Sequence, residues 1–142
     1  MLKGIPKILP PELLKILMEM GHGDEIVIAD GNFPAASHAQ RLVRSDGHPA
    51  SPLLDAIREF LPLDTFVERP VALMSVVSGD KYEPCIWPLY EEVIRKHEPQ
   101  FGGFEFMERY AFYERSKKAY AIVATGEMAR YANLILKKGL IQ

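Results

Sequence analysis

Cysteine is nearly absent from this chain: Cys85 stands alone among 142 residues. One thiol excludes an internal disulfide and cannot anchor a zinc cluster, so Cys85 reads as a buried or half-buried bystander. Charge of one sign is equally scarce. With 17 Lys and Arg against 19 Asp and Glu, the chain offers no basic field for nucleic acid or an anionic membrane. Long apolar runs are missing too, none approaching the roughly 18 residues of a bilayer span. The opening "MLKGIPKILPPELL" lacks a signal-peptide core, which makes the cytoplasm the expected location. The motifs GxSxG, GxGxxG and the P-loop do not occur, so acyl transfer, dinucleotide binding and nucleotide hydrolysis lack their usual supports. The four histidines, His22, His38, His48 and His97, show no metal-ligand spacing such as HExxH, and no metal or cofactor is expected.

What is present is a 48% hydrophobic chain with no repeat and no linker, which predicts a single domain over residues 1–142. Strand and helix patterns alternate along it. "PPELLKILMEMGHG" predicts a helix with Leu13, Leu17 and Met20 on one face and Gly21 as its stop. "SPLLDAIREFLP" predicts another, with a Ser cap, Pro at the first helical position and Leu53, Leu54, Ile57 and Leu61 inward. "WPLYEEVIRKH" and "YAFYERSKK" carry helical spacing as well. "EIVIAD", "VALMSVVSG" and "AYAIVATG" are β-branched and almost continuously apolar, as strands covered on both faces are, while "RLVR", "FEFMER" and "NLILKKGLI" read as further strands. The alternation predicts an α/β fold, a three-layer α/β/α sandwich on a mainly parallel, Rossmann-like sheet. Ligand sites in such sheets lie outside the carboxyl ends of the strands, where Asp30 and Gly126 fall.

Several residues could carry chemistry. His22, between Gly21 and Gly23, is an imidazole that can exchange a proton near neutral pH, and the glycines leave room for a small ligand; an exposed His after a helix stop fits equally well. Asp30 closes a buried strand, as a grip for vicinal hydroxyls or as an Asx turn. Asp64 in "LPLDTFVE" is a turn former or a proton-transfer carboxylate. Arg109 and Arg115 flank the aromatic row Tyr110, Phe112 and Tyr113, which is either packing or a donor-rich site with a tyrosine able to shuttle a proton. Tyr131 and Asn133, one residue apart, would point the same way in an extended chain and could stack on and hydrogen-bond a sugar, or belong to a surface hairpin.

Taken together, "MLKGIPKILPPELLKILMEMGHGDEIVIADGNFP", "SDG", "LPLDTFVE", "YAFYERSKKAYAIVATGE" and "YANLILKKG" resemble the L-fucose mutarotase family of the fucose mutarotase and ribose pyranase superfamily, nearly end to end. Residues from Gly79 to Gly103 contribute little to the likeness. The resemblance implies that family's fold and an isomerase that interconverts the α and β anomers of free L-fucose and related monosaccharides. It implies no cofactor and a ring-shaped homo-oligomer, a decamer among the possible sizes. His22, Asp64 and Tyr113 become the catalytic positions, with Tyr113 and Asp64 expected to act together opposite His22. Asp30, Arg109, Tyr131 and Asn133 become the sugar-contacting ones. A ribose pyranase and a non-catalytic monosaccharide binder are the alternatives. Gly31 stands where the family usually has Ala, and Ala132 replaces the usual Gly between Tyr131 and Asn133, a change expected to narrow the pocket or stiffen the turn.

Overall fold

A computed structural model describes residues 1–142. In chain order the elements are α1 (Pro11–Glu19), β1 (Glu25–Ala29), α2 (Ala35–His38), β2 (Leu42–Ser45), α3 (Ala50–Arg58), β3 (Val71–Met74), α4 (Ile86–His97), β4 (Glu105–Met107), α5 (Arg109–Lys118), β5 (Ala121–Thr125) and β6 (Leu134–Lys137). The six strands form one sheet in the order β2-β5-β1-β6-β3-β4. β1 and β2 pair parallel with β5, and β3 pairs parallel with β4. β6 runs antiparallel to both β1 and β3 in the middle of the sheet. The segment leading from β5 to β6 contains no helix, and without a crossover of a dozen residues or more a strand cannot return in parallel.

Burial follows the three-layer plan. Ile26 and Ile28 of β1 pack with Leu13 and Leu17 of α1, Leu53, Leu54 and Ile57 of α3, and Tyr90 and Ile94 of α4. Val27 and Ala29 point to the other face and meet Ala35 of α2 and Phe112 of α5. Each buried Leu or Ile contributes about 1.5–3 kcal/mol, so the larger cluster, under α1, α3 and α4, carries most of the apolar stabilisation. No helix is long and apolar enough to cross a membrane.

Three local expectations are corrected. α1 ends at Glu19, two residues before Gly21. α3 starts at Ala50 after a Pro49 cap, so Ser51 and Pro52 lie inside its first turn; the remote Glu127 Oε2 accepts the Ala50 N–H at 3.1 Å, doing what a local Ser would have done. Cys85 is exposed, flanking the start of α4. The four-residue helix α2 is a single turn, too short to carry a helical period in the sequence.

Candidate active site

The carboxyl ends of β1, β3 and β4 and the beginning of the antiparallel β6 all lie on one side of the sheet. There a cavity of about 210 Å³ opens, lined by Asp30, Asn32, Phe33, Met74, Val77, Arg109, Tyr113, Arg130, Tyr131 and Asn133. It is smaller than the roughly 300–1,000 Å³ of pockets for drug-sized ligands. Carboxylate, amide, guanidinium and phenol groups alternate with a few apolar walls, as a small polyol with hydroxyls and C–H faces requires.

Asp30 leaves β1 with its backbone N–H donating to Asn133 Oδ1 at 2.7 Å, and its Oδ1 accepts from the Asn32 N–H at 3.0 Å. Burial pushes its carboxyl above the ordinary carboxylate range, against the opposing N–H groups of Asn32, Phe33 and Ala132 and the Asn133 side chain. α5 brings in Arg109 and Tyr113, one turn apart, and Arg109 Nε donates to the Tyr113 hydroxyl oxygen at 3.3 Å. That contact leaves the phenolic proton free to be given. Phe33 and His38 border the Tyr113 ring edge-on at centroid distances of 5.4 and 5.7 Å. Tyr110 of the same helix is exposed, and Phe112 is core. Arg115, the other arginine of that row, is engaged elsewhere, bound to Glu25 and Glu105.

Tyr131 and Asn133 both line the cavity, yet the backbone between them is not simply extended: Tyr131 has φ of +57°. Ala132 is fully buried in the larger core, and its carbonyl accepts from the Tyr90 hydroxyl at 2.7 Å. The expected narrowing of the pocket by Ala132 is therefore not found. At Gly31 a methyl group would come within 3.2 Å of the Glu127 carbonyl oxygen, so glycine there relieves a tight contact.

His22 and Asp64 are elsewhere. His22 lies before β1 and Asp64 beside the end of β6, where its N–H donates to the Lys137 carbonyl. Asp64 Oδ1 receives both the Phe66 N–H and, at 3.0 Å, His22 Nε2. It is a turn former and the histidine's partner at once. Burial alone would raise the Asp64 carboxyl; the Phe66 N–H and His22 outweigh it and hold it below the ordinary range. Ionised Asp64 can only accept, so Nε2 carries the proton and Nδ1 of a neutral His22 is left with a lone pair. Of the flanking glycines only Gly23 has positive φ (+89°), and a side chain there would meet open space. The exposed Phe66 ring lies 5.2 Å from the imidazole.

The site residues thus fall into two clusters at opposite ends of the sheet. β1 alone separates them by roughly 16 Å, at about 3.3 Å per residue. Proton transfer needs groups within about 3 Å of the reacting atom, so one protomer cannot apply His22 to a sugar lying on Asp30. The expected alliance of Tyr113 with Asp64 is also corrected: Asp64 is paired with His22, and Tyr113 with Arg109. Sequence reading passed over Asn32, Phe33, Met74, Val77 and Arg130, although each ends or follows a buried strand or precedes β6, a position that signals a site. No group of three or more His, Cys, Asp or Glu side chains converges as a metal site would require.

Fold and cavity together define a small α/β protein with a pocket for a monosaccharide-sized polyol. The chain belongs to the RbsD / FucU transport protein family, which it matches over residues 3–141. It is similar to the fucose mutarotase of Mus musculus, 51% identical over 99% of this chain and 95% of that one. It is also similar to the crystal structure of the fucose mutarotase from Streptococcus pneumoniae in complex with L-fucose, at 54% identity and a TM-score of 0.95, covering 99% of this chain and 100% of that one. The RbsD of Bacillus subtilis complexed with D-ribose shares the fold, with a TM-score of 0.71 at 24% identity, covering 94% of this chain and 95% of that one.

Proposed function

We propose that this protein is an isomerase that interconverts the α and β anomers of L-fucose. The observation that carries the reading is the cavity at the carboxyl end of the sheet. Its buried carboxylate, amides, guanidinium groups and free phenolic proton are arranged for a polyol, in a chain similar over nearly its whole length to fucose mutarotases. Asp30, Arg109 and Asn133 hold hydroxyl groups, and Tyr131 packs against the sugar ring.

Mutarotation moves two protons. The anomeric hydroxyl loses its proton, the C1–O5 bond breaks with its electron pair going to O5, and O5 is protonated to give the open aldehyde. Rotation about C1–C2 and the reverse steps close the ring on the other carbonyl face. Tyr113 gives the proton to O5, helped by the Arg109 charge beside it, and Nδ1 of a histidine oriented by Asp64 takes the proton from the anomeric oxygen; in closure the two exchange roles. General acid and base groups each contribute on the order of 10²–10⁴-fold.

Because His22 and the cavity occupy opposite ends of one protomer, the reaction centre is shared: His22 of the partner subunit reaches the cavity in a homo-oligomer. Each half is bordered by an exposed aromatic, Phe66 beside His22 and Tyr110 beside Arg109, the residue type enriched at interfaces. The ring-shaped assembly expected from the resemblance is compatible with this arrangement.

Exchange NMR of anomeric protons with catalytic amounts of protein tests the function. Accelerated exchange for L-fucose is expected, with a loss of at least about hundredfold in His22→Ala and in Tyr113→Phe. Pyranose–furanose exchange of ribose without fucose turnover would make the chain a ribose pyranase, and line broadening without exchange would make it a binder. The fold-level likeness to RbsD does not favour ribose.

A further inference from the structure

We infer that Asp80, in the connection between β3 and α4, is a positioning residue of the sugar pocket, holding Tyr131 and Arg130 in place as its walls. The inference rests on the monosaccharide reading above. Asp80 is not among the residues lining the cavity; it acts through two residues that are.

Tyr131 needs such a holder. A bulky aromatic residue at φ of +57° is in a region that side chains other than glycine seldom adopt, and such a conformation persists only where the surroundings impose it. Here hydrogen bonds and ring contacts do so. The Tyr131 carbonyl accepts from Trp87 Nε1 at 2.7 Å, and its hydroxyl accepts from the Val77 N–H at 3.3 Å. The ring stacks with Tyr82 at a centroid distance of 6.0 Å. The hydroxyl donates to Asp80 Oδ2 at 2.6 Å, the only one of the three hydrogen bonds made to a charged group.

Asp80 divides its carboxylate between two tasks. Oδ1 accepts from the Tyr82 N–H at 2.9 Å, closing an Asx turn behind Gly79 at φ of +88°. Oδ2 takes the Tyr131 hydroxyl and the Arg130 guanidinium together. Arg130 in turn lies over the rings of Tyr82 and Tyr131, at 4.7 and 5.5 Å from their centroids. One partly buried oxygen therefore fixes both residues that bound this side of the cavity. The Tyr131 hydroxyl, the Tyr82 N–H and Arg130 keep the carboxyl ionised below the ordinary range, against a smaller effect of burial.

Had Asp80 served only its own turn, Asp80→Asn would be silent, because an amide oxygen still accepts from the Tyr82 N–H while the amide nitrogen cannot accept from a phenol. The test compares wild type, Asp80→Asn, Tyr131→Phe and the double variant, with fucose anomer exchange by NMR and the Asp80 carboxyl titrated by ¹³C NMR without sugar. Asp80→Asn is expected to raise KM for L-fucose about tenfold with kcat within about twofold. Tyr131→Phe should do the same, and the double variant should be no worse than the worse single one. In Tyr131→Phe the Asp80 titration should move up toward the ordinary carboxylate value. An unchanged KM in Asp80→Asn, fold-changes that multiply in the double variant, or an unmoved titration would each overturn the inference. Absence of fucose binding and turnover in the wild type would instead remove the proposed function, and the sugar-free titration would still decide whether Asp80 holds Tyr131.

Discussion

Two buried aspartates at opposite ends of the sheet have their carboxyls shifted in opposite directions, and their chemistry follows from that difference. Asp30 is raised by burial, so its ionisation weakens the fold: its contribution is fully present below the unfolded value of about 3.9 and is lost as pH rises through the higher folded value. Asp30→Asn should therefore melt at or above wild type at about pH 7, with the gain gone near pH 3, while fucose exchange falls at least about thirtyfold because a charged acceptor for hydroxyls has been removed. Asp64 is lowered, so its contribution is present above about 3.9 and lost as pH falls through the folded value. Asp64→Asn should destabilise at neutral pH, with a deficit that shrinks in acid. Melting curves at the two pH values check both signs. The types of these residues and their places at strand and helix ends were legible in the sequence. Their partners were not: Asp30 meets Asn133 across 103 positions and Asp64 meets His22 across 42, pairings that exist only once the sheet is assembled.

At the scale of elements, the platform under the cavity depends on the segment after β5. Thr125 Oγ1 donates to the Ala29 carbonyl at 2.7 Å, tying the ends of β5 and β1. Two residues on, the Glu127 carbonyl accepts from the Gly31 N–H, and its carboxylate accepts from the N–H groups of Ala50 and Ala129. Glu127 thus supplies the negative charge that the start of α3 lacks locally, since Pro49 offers no side-chain cap. Glu127→Ala should cost about 1–2 kcal/mol in urea unfolding, in the range of a lost helix cap. It should reduce fucose exchange less than Asp30→Asn does, because Glu127 is outside the cavity lining. The helices α1, α3 and α4 were readable because burial on one face stamps a period on the sequence, and the strands β1, β3 and β5 because burial on both faces leaves an unbroken apolar run. α2 is a single turn and carries no such period, and the cap of α3 comes from a residue 77 positions away.

For the whole molecule, the sheet that makes the cavity also keeps His22 away from it. The sequence pattern predicted the layers and the carboxyl-end location, and β6 shows why direction was harder to read: an apolar strand looks the same whether it runs up or down, and only the helix-free connection before it turns it over. The resemblance assembled one list of site residues without saying which chain supplies each. A shared site turns that split into a consequence of assembly, and co-assembly of two defective chains tests it most directly. His22→Ala keeps an intact cavity, and Asp30→Asn keeps an intact His22. Each alone should show little fucose anomer exchange, whereas subunits mixed and reassembled at equal amounts should recover up to about a quarter of the wild-type rate, the share of sites in which a good histidine faces a good cavity when interfaces pair at random. A mixed assembly as inactive as its two components would contradict the account.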